Sequence, residues 1–332
     1  MQVGTYNDQP GASSGAGLPL RVVVTCADRK RFTPVPPLMA RTLPKRNQPA
    51  QVWEWIRRLE DVAVPRVALR DLYQGEHWSV ASSLSDVALS VGLLADLWVA
   101  SAGYGLVPAE CEIKPYAATF ATGHADCVAR AAGSHLALAR RRWWSDLASW
   151  TGPSTSAPRT LAQLAEAGRD QVIIAALSST YLSAIKDDLL AARRVLKEPG
   201  LMLIISAGSR PSLDFGENLL PVDASVQGAF RGSKLALNAR AAHWLVATAQ
   251  EHGFTLRRIR DLLAQVPRGD PNASASLRKK RSDAQVLRFI IHRLARDPQA
   301  SKSTLLREFR DDGFACEQFR FSSLFATARR AL

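Results

Sequence analysis

Very little in this sequence belongs to a secreted, membrane-bound or metal-built protein. Its 332 residues include only 4 cysteines, Cys26, Cys111, Cys127 and Cys316. They lie far apart with no CxxC pair, a pattern that builds neither a disulfide framework nor a local zinc knuckle, so no metal is expected. No apolar run approaches the roughly 20 residues that cross a bilayer. The cluster at 87–102 is interrupted by Asp96 and by serines. The first residues have Asp8 as their single charge and lack the basic start and apolar core of a signal peptide, so 1–19 reads as a flexible lead-in. The expected compartment is a reducing cytoplasm, with no membrane partner. P-loop, dinucleotide-fingerprint, HExxH and GxSxG patterns are also missing, which argues against a nucleotide cofactor and the standard hydrolase classes. No cofactor is expected.

Acidic residues are the other shortage. The chain has 43 Lys and Arg against 30 Asp and Glu, a net charge of +13. From Arg231 to Leu332 there are 20 basic and 9 acidic residues, a net of +11, which leaves +2 for everything before. Positive charge gathered in one segment is the footprint of a protein that meets a polyanion, since each cation placed against a phosphate releases a condensed counterion. DNA is the expected partner, with RNA as the alternative polymer.

Hydrophobic residues at 47% and charged residues at 22% give ordinary globular composition. LRVVVTC (20–26), the segment 96–101, QVIIAALS (171–178) and GLMLIISAG (200–208) read as buried strands, with a short strand at 66–69. Helical patterns fall between them, at about 49–60, 86–95, 126–147, 161–167 and 179–196. Trp53, Ile56 and Leu59 are expected on the buried face of the first. Alternating strands and helices predict an α/β domain over 20–228 with a largely parallel sheet flanked by helices. Residues 229–332 predict an all-helical basic region with a linker near 266–282. Helices are expected at 238–251, 255–265, 283–296, 302–311 and 317–330. DGFAC separates the last two at helix-turn-helix spacing. In a DNA-reading unit Gln318, Arg320 and Ser323 would face the groove, and the cluster Arg278, Lys279, Lys280 and Arg281 would grip phosphate.

Three segments at strand ends carry candidate chemistry. Cys26-Ala-Asp28-Arg-Lys30 places a thiol and an amine after a strand, where a neighbouring cation or a dry pocket activates either as a nucleophile. The same residues also suit a structural cysteine followed by a solvated loop. Ser101-Ala-Gly-Tyr104-Gly105, followed by Lys114, Tyr116, Thr119, Thr122, His124 and Asp126, combines glycines that admit a ligand with aromatic faces for a flat base. It adds a lysine and a histidine for phosphate contact or proton transfer. Ser206-Ala-Gly-Ser-Arg-Pro211 offers backbone N–H groups to an anion, and Glu217 and Asp223 are candidate acid/base groups.

The VVVTC strand with ADRK resembles, in its Cys-x-x-x-Lys spacing, the core domain of archaeosine synthases, although Arg31-Phe32 stands where that family has Pro-Tyr. SAGYGLVP and the KPY after it resemble small bacterial proteins of modified-DNA and defence clusters. Together these stretches, within about residues 20–126, resemble the DpdC-like 7-deazaguanine DNA-modification enzymes. That resemblance implies conversion of a cyano base in DNA to its amide, with partners from the same modification cluster. Cys26 or Lys30 would attack the nitrile, with Asp28 or His124 moving protons. Substrate contacts would come from Ser101, Tyr104, Gly105, Lys114, Tyr116, Thr119, Ser206 and Glu217. The base would have to leave its stack to be reached. Two other readings fit the residues: a nucleobase glycosidase or base-exchange enzyme using a carboxylate such as Asp28 or Glu217, and a non-catalytic DNA-binding or regulatory protein using the terminal helices.

Overall fold

Val22, Val23 and Val24 have no exposed surface, because their strand is paired on both edges and the sheet is flanked by helices. The computed structural model describes residues 20–44, 46–208, 214–269 and 279–331. The six strands of its main sheet are β1 (Leu20–Thr25), β2 (Ala95–Ser101), β3 (Gly105–Pro108), β4 (Val172–Ala176), β5 (Met202–Ala207) and β6 (Leu219–Val222). They lie in the order β3-β2-β1-β4-β5-β6. Only β2 and β3 pair antiparallel; the other pairs are parallel. The sheet is mixed, mostly parallel and flanked by helices, and its central strands are the continuous aliphatic runs that burial on both faces demands.

Strands β3 and β6 were not legible in the sequence. β3 lies in the AGYGLVP segment read as a turn, and β6 (LLPV) in one read as a loop. Each spans only 4 residues, too few to show a period. The strand expected at 66–69 is a two-residue pairing of Val67–Ala68 with Glu112–Ile113.

Helix α1 (Gln48–Asp61) is capped by the Asn47 side chain, which accepts from the Ala50 N–H. It buries Val52, Trp55 and Leu59, while Trp53 is 63% exposed. Of the expected face, Leu59 is buried and Ile56 packs partly against the core, while Trp53 points outward. Trp55 turns inward because its indole N–H donates to the Gly103 carbonyl at 2.8 Å. After a separate helix, α2 (Glu76–Ser82), the helix expected at 86–95 is α3 (Leu84–Ser90), which starts earlier and ends before β2. That expected at 126–147 begins later, as α4 (Leu136–Ala148). Arg41 draws Asp126 inward and Thr119 pairs with Cys127, and a 3-10 helix at Arg130–His135 then leads into α4. Then come α5 (Leu161–Glu166), α6 (Ser179–Ala184) and α7 (Lys186–Val195), the last two interrupted at Ile185.

The boundary expected at 228 falls elsewhere. The chain divides into two compact units, Met1–Arg268 and Gly269–Leu332, so α8 (Leu237–His252) and α9 (Leu256–Gln265) belong with the sheet. α8 packs on α2, α3, β4 and β5. Its Asn238 side chain donates to the Leu177 carbonyl (2.8 Å) and accepts from the Ala207 N–H (2.6 Å). A buried amide bridging two strand ends fixes the helix to the sheet.

The second unit has its own core, with Val286, Ile290, Leu294, Leu305, Phe309 and Phe321 buried. They come from α10 (Asp283–Arg296), α11 (Lys302–Asp311) and α12 (Gln318–Ala331), so a helical C-terminal region is present. Ser282 and Gln285 form a capping box at the start of α10. Lys279–Lys280 pairs with Phe314–Ala315 between α11 and α12. The lead-in 1–19, Arg278 and most of the expected linker lie outside the described residues. Among the described residues no helix is long and apolar enough to cross a membrane.

The β2–β3 hairpin is held by a buried guanidinium. Arg159 donates to the carbonyls of Tyr104 (2.5 Å), Leu106 (2.6 Å) and Trp150 (3.0 Å). Replacing it (Arg159→Leu) would leave three carbonyls without this donor, each costing about 1–3 kcal/mol when buried and unpaired. We expect urea unfolding to report a loss on the order of 3 kcal/mol, and an unchanged midpoint would refute this account of the hairpin.

Candidate functional site

From β1 the chain turns towards β2, and from β4 towards β5. The neighbouring C-terminal ends of β1 and β4 therefore flank the crevice where open α/β sheets hold ligands. Cys26 follows β1, and its N–H extends the pairing with β2 through the Ala100 carbonyl (3.1 Å). Ser178 follows β4 and caps α6 by accepting from the Tyr181 N–H, which turns Tyr181 back over the crevice. The Cys26 Sγ lies 3.0 Å from the Tyr181 hydroxyl.

Lys30 curls back over the same place. Its Nζ donates to the carbonyls of Ala27 (3.3 Å) and Asp28 (3.2 Å) and sits 4.6 Å from the Tyr116 ring centre and 5.5 Å from that of Tyr73. Burial pushes its pKa below the ordinary lysine value, against the opposing pull of Cys26, Asp28 and Asp126. Burial, reinforced by charge on Cys26, raises Tyr73, Tyr116 and Tyr181 well above the usual phenol value, so all three stay protonated.

A cluster of hydroxyls adjoins the lysine. Ser101 Oγ accepts from the N–H groups of Gly103 and Tyr104, both at 3.1 Å. The same Oγ shares a hydrogen bond with the Tyr116 hydroxyl at 2.6 Å. The Tyr116 and Tyr73 hydroxyls share a hydrogen bond at 2.7 Å. Ser101 also bonds Tyr73, so the three hydroxyls form one buried, mutually bonded cluster. Gly103 is required beside it, since a Cβ there would lie 2.3 Å from the Tyr116 ring.

Two histidines border the cluster. His77 Nε2 donates to the Thr25 carbonyl (2.9 Å), its Nδ1 is buried without a partner, and burial lowers its pKa, so it is neutral. His124 Nδ1 accepts from the Asp126 N–H (3.0 Å), which leaves Nε2 facing Asp28 at 3.5 Å. Asp126 is gripped by the Arg41 backbone (3.0 Å) and Nε (2.9 Å). Burial would raise its pKa, but those bonds hold the carboxyl below its usual value.

Of the expected site residues, the fold brings Cys26, Asp28, Lys30, Ser101, Tyr116 and His124 into this region. The others serve the framework. Tyr104 is buried, and its hydroxyl bonds the Lys114 backbone rather than offering a face to a base. Lys114 does not face a phosphate: its Nζ donates to the Glu60 carbonyl at 2.8 Å. Gly105 is the left-handed residue of the hairpin (φ 72°). Thr119 organises the His124 loop, accepting from the Ala121 N–H. Ser206 is buried within β5, and Glu217 is exposed ahead of β6. Ser209–Pro211 lies outside the described residues. Sequence reasoning missed Arg41, Tyr73, His77 and Tyr181. Tyr181 alone carried a local signal, a capping serine directly after a strand.

Among the described residues no cluster of His, Cys, Asp and Glu is arranged to hold a metal ion. A cavity of about 620 Å³ borders Ala40 and Cys127, the neighbours of Arg41 and Asp126, but neither Cys26 nor Lys30 lines it.

A lowered lysine pKa has a defined sign in stability. Folded Lys30 binds fewer protons than the unfolded chain between its depressed value and 10.5, so its contribution to stability grows as pH rises through that window. After reductive ¹³C-methylation, the Lys30 NMR signal should titrate below the ordinary lysine value; titration at that value would refute the burial account. Neither the known protein-family models nor the curated proteins nor the solved structures compared with this chain gave a match.

Proposed function

We propose that this chain is an enzyme that hydrates a nitrile on a modified base in DNA, converting 7-cyano-7-deazaguanine to 7-amido-7-deazaguanine. The observation that carries the reading is the Cys26 thiol, 3.0 Å from the Tyr181 hydroxyl at the crevice between β1 and β4. A nitrile carbon needs a nucleophile, its nitrogen needs protons, and both are supplied by neutral or cationic donors clustered on a thiol. The sulfur adds to the nitrile carbon and the nitrogen takes up a proton, giving a thioimidate. Water then adds to that carbon, the C–S bond breaks, the sulfur recovers a proton, and the amide leaves. The net change is one water gained. Lys30 and the Tyr181 hydroxyl beside the thiol are the acids for the nitrogen. Lys30 is also the alternative nucleophile, forming an amidine, although its bonds to two carbonyls hold it as a donor.

DNA is the proposed polymer and the second unit its proposed contact. Residues 279–331 hold 12 Lys or Arg and 6 Asp or Glu. In this reading α11 and α12 act as a helix-turn-helix pair, with Gln318 and Ser323 exposed for base contact. Arg320 is withdrawn from that role, because its guanidinium bonds Asp283 (2.7 Å) and the Arg281 carbonyl (2.8 Å).

The test is mass spectrometry of nucleosides after incubating the protein with DNA containing the cyano base. The expected product is heavier by one water, and Cys26→Ser should lower its rate by at least about 100-fold. Lys30→Met showing the larger loss would make the amine the nucleophile. Released base would replace this reading with a glycosidase, for which the exposed Asp28 is the nearest carboxylate. Unaltered DNA with tight, salt-sensitive binding would leave a DNA-binding protein.

A further inference from the structure

The second unit carries a cleft that the proposed chemistry does not use. It has a volume of about 250 Å³ and is lined by Arg281, Gln285, Arg288, Phe289, Phe309 and Phe314. Phe309 is buried and forms the floor. Phe289 and Phe314 pack on it at ring-centre distances of 5.0 and 5.2 Å, and both remain partly exposed. The Arg281 guanidinium lies 4.2 Å from the Phe314 ring centre. Gln285 spends its side-chain oxygen on the Ser282 N–H (3.0 Å), so its amide N–H groups are the part left to donate.

The charge at this cleft is not neutralised locally. Asp283 is taken by Arg320, and Glu308 and Asp312 face Arg293. Among the described residues no carboxylate forms an ion pair with Lys279, Lys280, Arg281 or Arg288. Lys279 pairs directly with Phe314 in the short ladder, which brings a further cation to the aromatic edge. Partly exposed rings, a guanidinium over each of them (Arg281 on Phe314, and Arg293 5.3 Å from the Phe289 ring centre) and unpaired cations beside them are what an unstacked nucleotide needs. The base finds a π face, and the phosphates find positive charge. A duplex cannot use the rings without releasing a base, whereas a single strand presents its bases directly.

We propose that this cleft binds single-stranded nucleic acid, stacking one base against Phe314 and Phe289 while Arg281, Arg288 and Lys279 hold the flanking phosphates. The inference rests on the polymer partner named above and is independent of the nitrile chemistry, so each can fail without the other. Fluorescence anisotropy of the full chain with labelled oligothymidylate, and with a labelled duplex of equal length, tests it. Phe314→Leu keeps an apolar side chain but removes the ring. It should weaken oligothymidylate binding by about 5- to 150-fold, the range for one stacked base, and leave duplex binding unchanged. Arg288→Gln should weaken both and reduce the single-strand salt slope by about 0.7. If Phe314→Leu does not fold, as judged by thermal unfolding, Phe289→Leu makes the same test from the other ring. Tighter binding of oligouridylate supports the same site and assigns RNA as its polymer. Wild-type binding in the ring variants, equal losses on single strand and duplex, or no binding of oligothymidylate by the natural chain would each overturn the proposal.

Discussion

The candidate site depends on how the turn between β2 and β3 is held. Its backbone carbonyls are taken by three long side chains from outside the hairpin: Trp55 on Gly103, Trp143 on Ala102, and Arg159 on Tyr104 and Leu106. Each donor is buried, so each bond forms where water cannot replace it, and the cost of breaking one is high. Arg159 has only carbonyl partners in this network, and burial lowers its pKa to about 10. With the turn so fixed, Ser101 meets two N–H groups and Gly103 leaves room for the Tyr116 ring. The hydroxyl cluster of Ser101, Tyr73 and Tyr116 follows from that.

The crevice is tuned by burial more than by charge. Lys30 and His77 are pushed towards their neutral forms, and the three tyrosines are kept protonated. The ionised groups nearby, Arg41 and Asp126, are occupied with each other. A thiol among neutral donors suits addition to a polarised multiple bond, where a nucleophile and a proton arrive at adjacent atoms. The exposed Asp28 and the partly buried His124 link this cluster to solvent.

The second unit follows a different physical logic. Its core is a small set of aliphatic and phenylalanine side chains, and its basic residues outnumber its acidic ones two to one. Several acids are spent on internal ion pairs, which leaves the cations near Phe314 without local partners. Aromatic surface and positive charge thus meet on an element that the sequence presents only as a basic linker and three amphipathic helices.

The sequence by itself determined the strands that are buried on both faces, the helices with clear periodicity and the concentration of charge. LRVVVTC, QVIIAALS and MLIISA read as enclosed strands because the runs are short, rich in β-branched or aliphatic residues and end at small residues. It also marked Cys26, Lys30, Ser101, Tyr116 and His124, since small and polar residues at strand ends are local features. Tertiary structure alone decided which of the marked residues meet. Tyr104 and Tyr116 look equivalent in the chain, yet one props the Lys114 backbone and the other joins the hydroxyl cluster. Tyr73, His77 and Tyr181 reach the crevice from segments 47 to 155 residues away from the loop they face, and no local pattern encodes such a meeting. The domain boundary was illegible for the same reason. Nothing in α8 announces that Asn238 bridges two strand ends, and a hydrogen bond between distant segments exists only once the chain has folded.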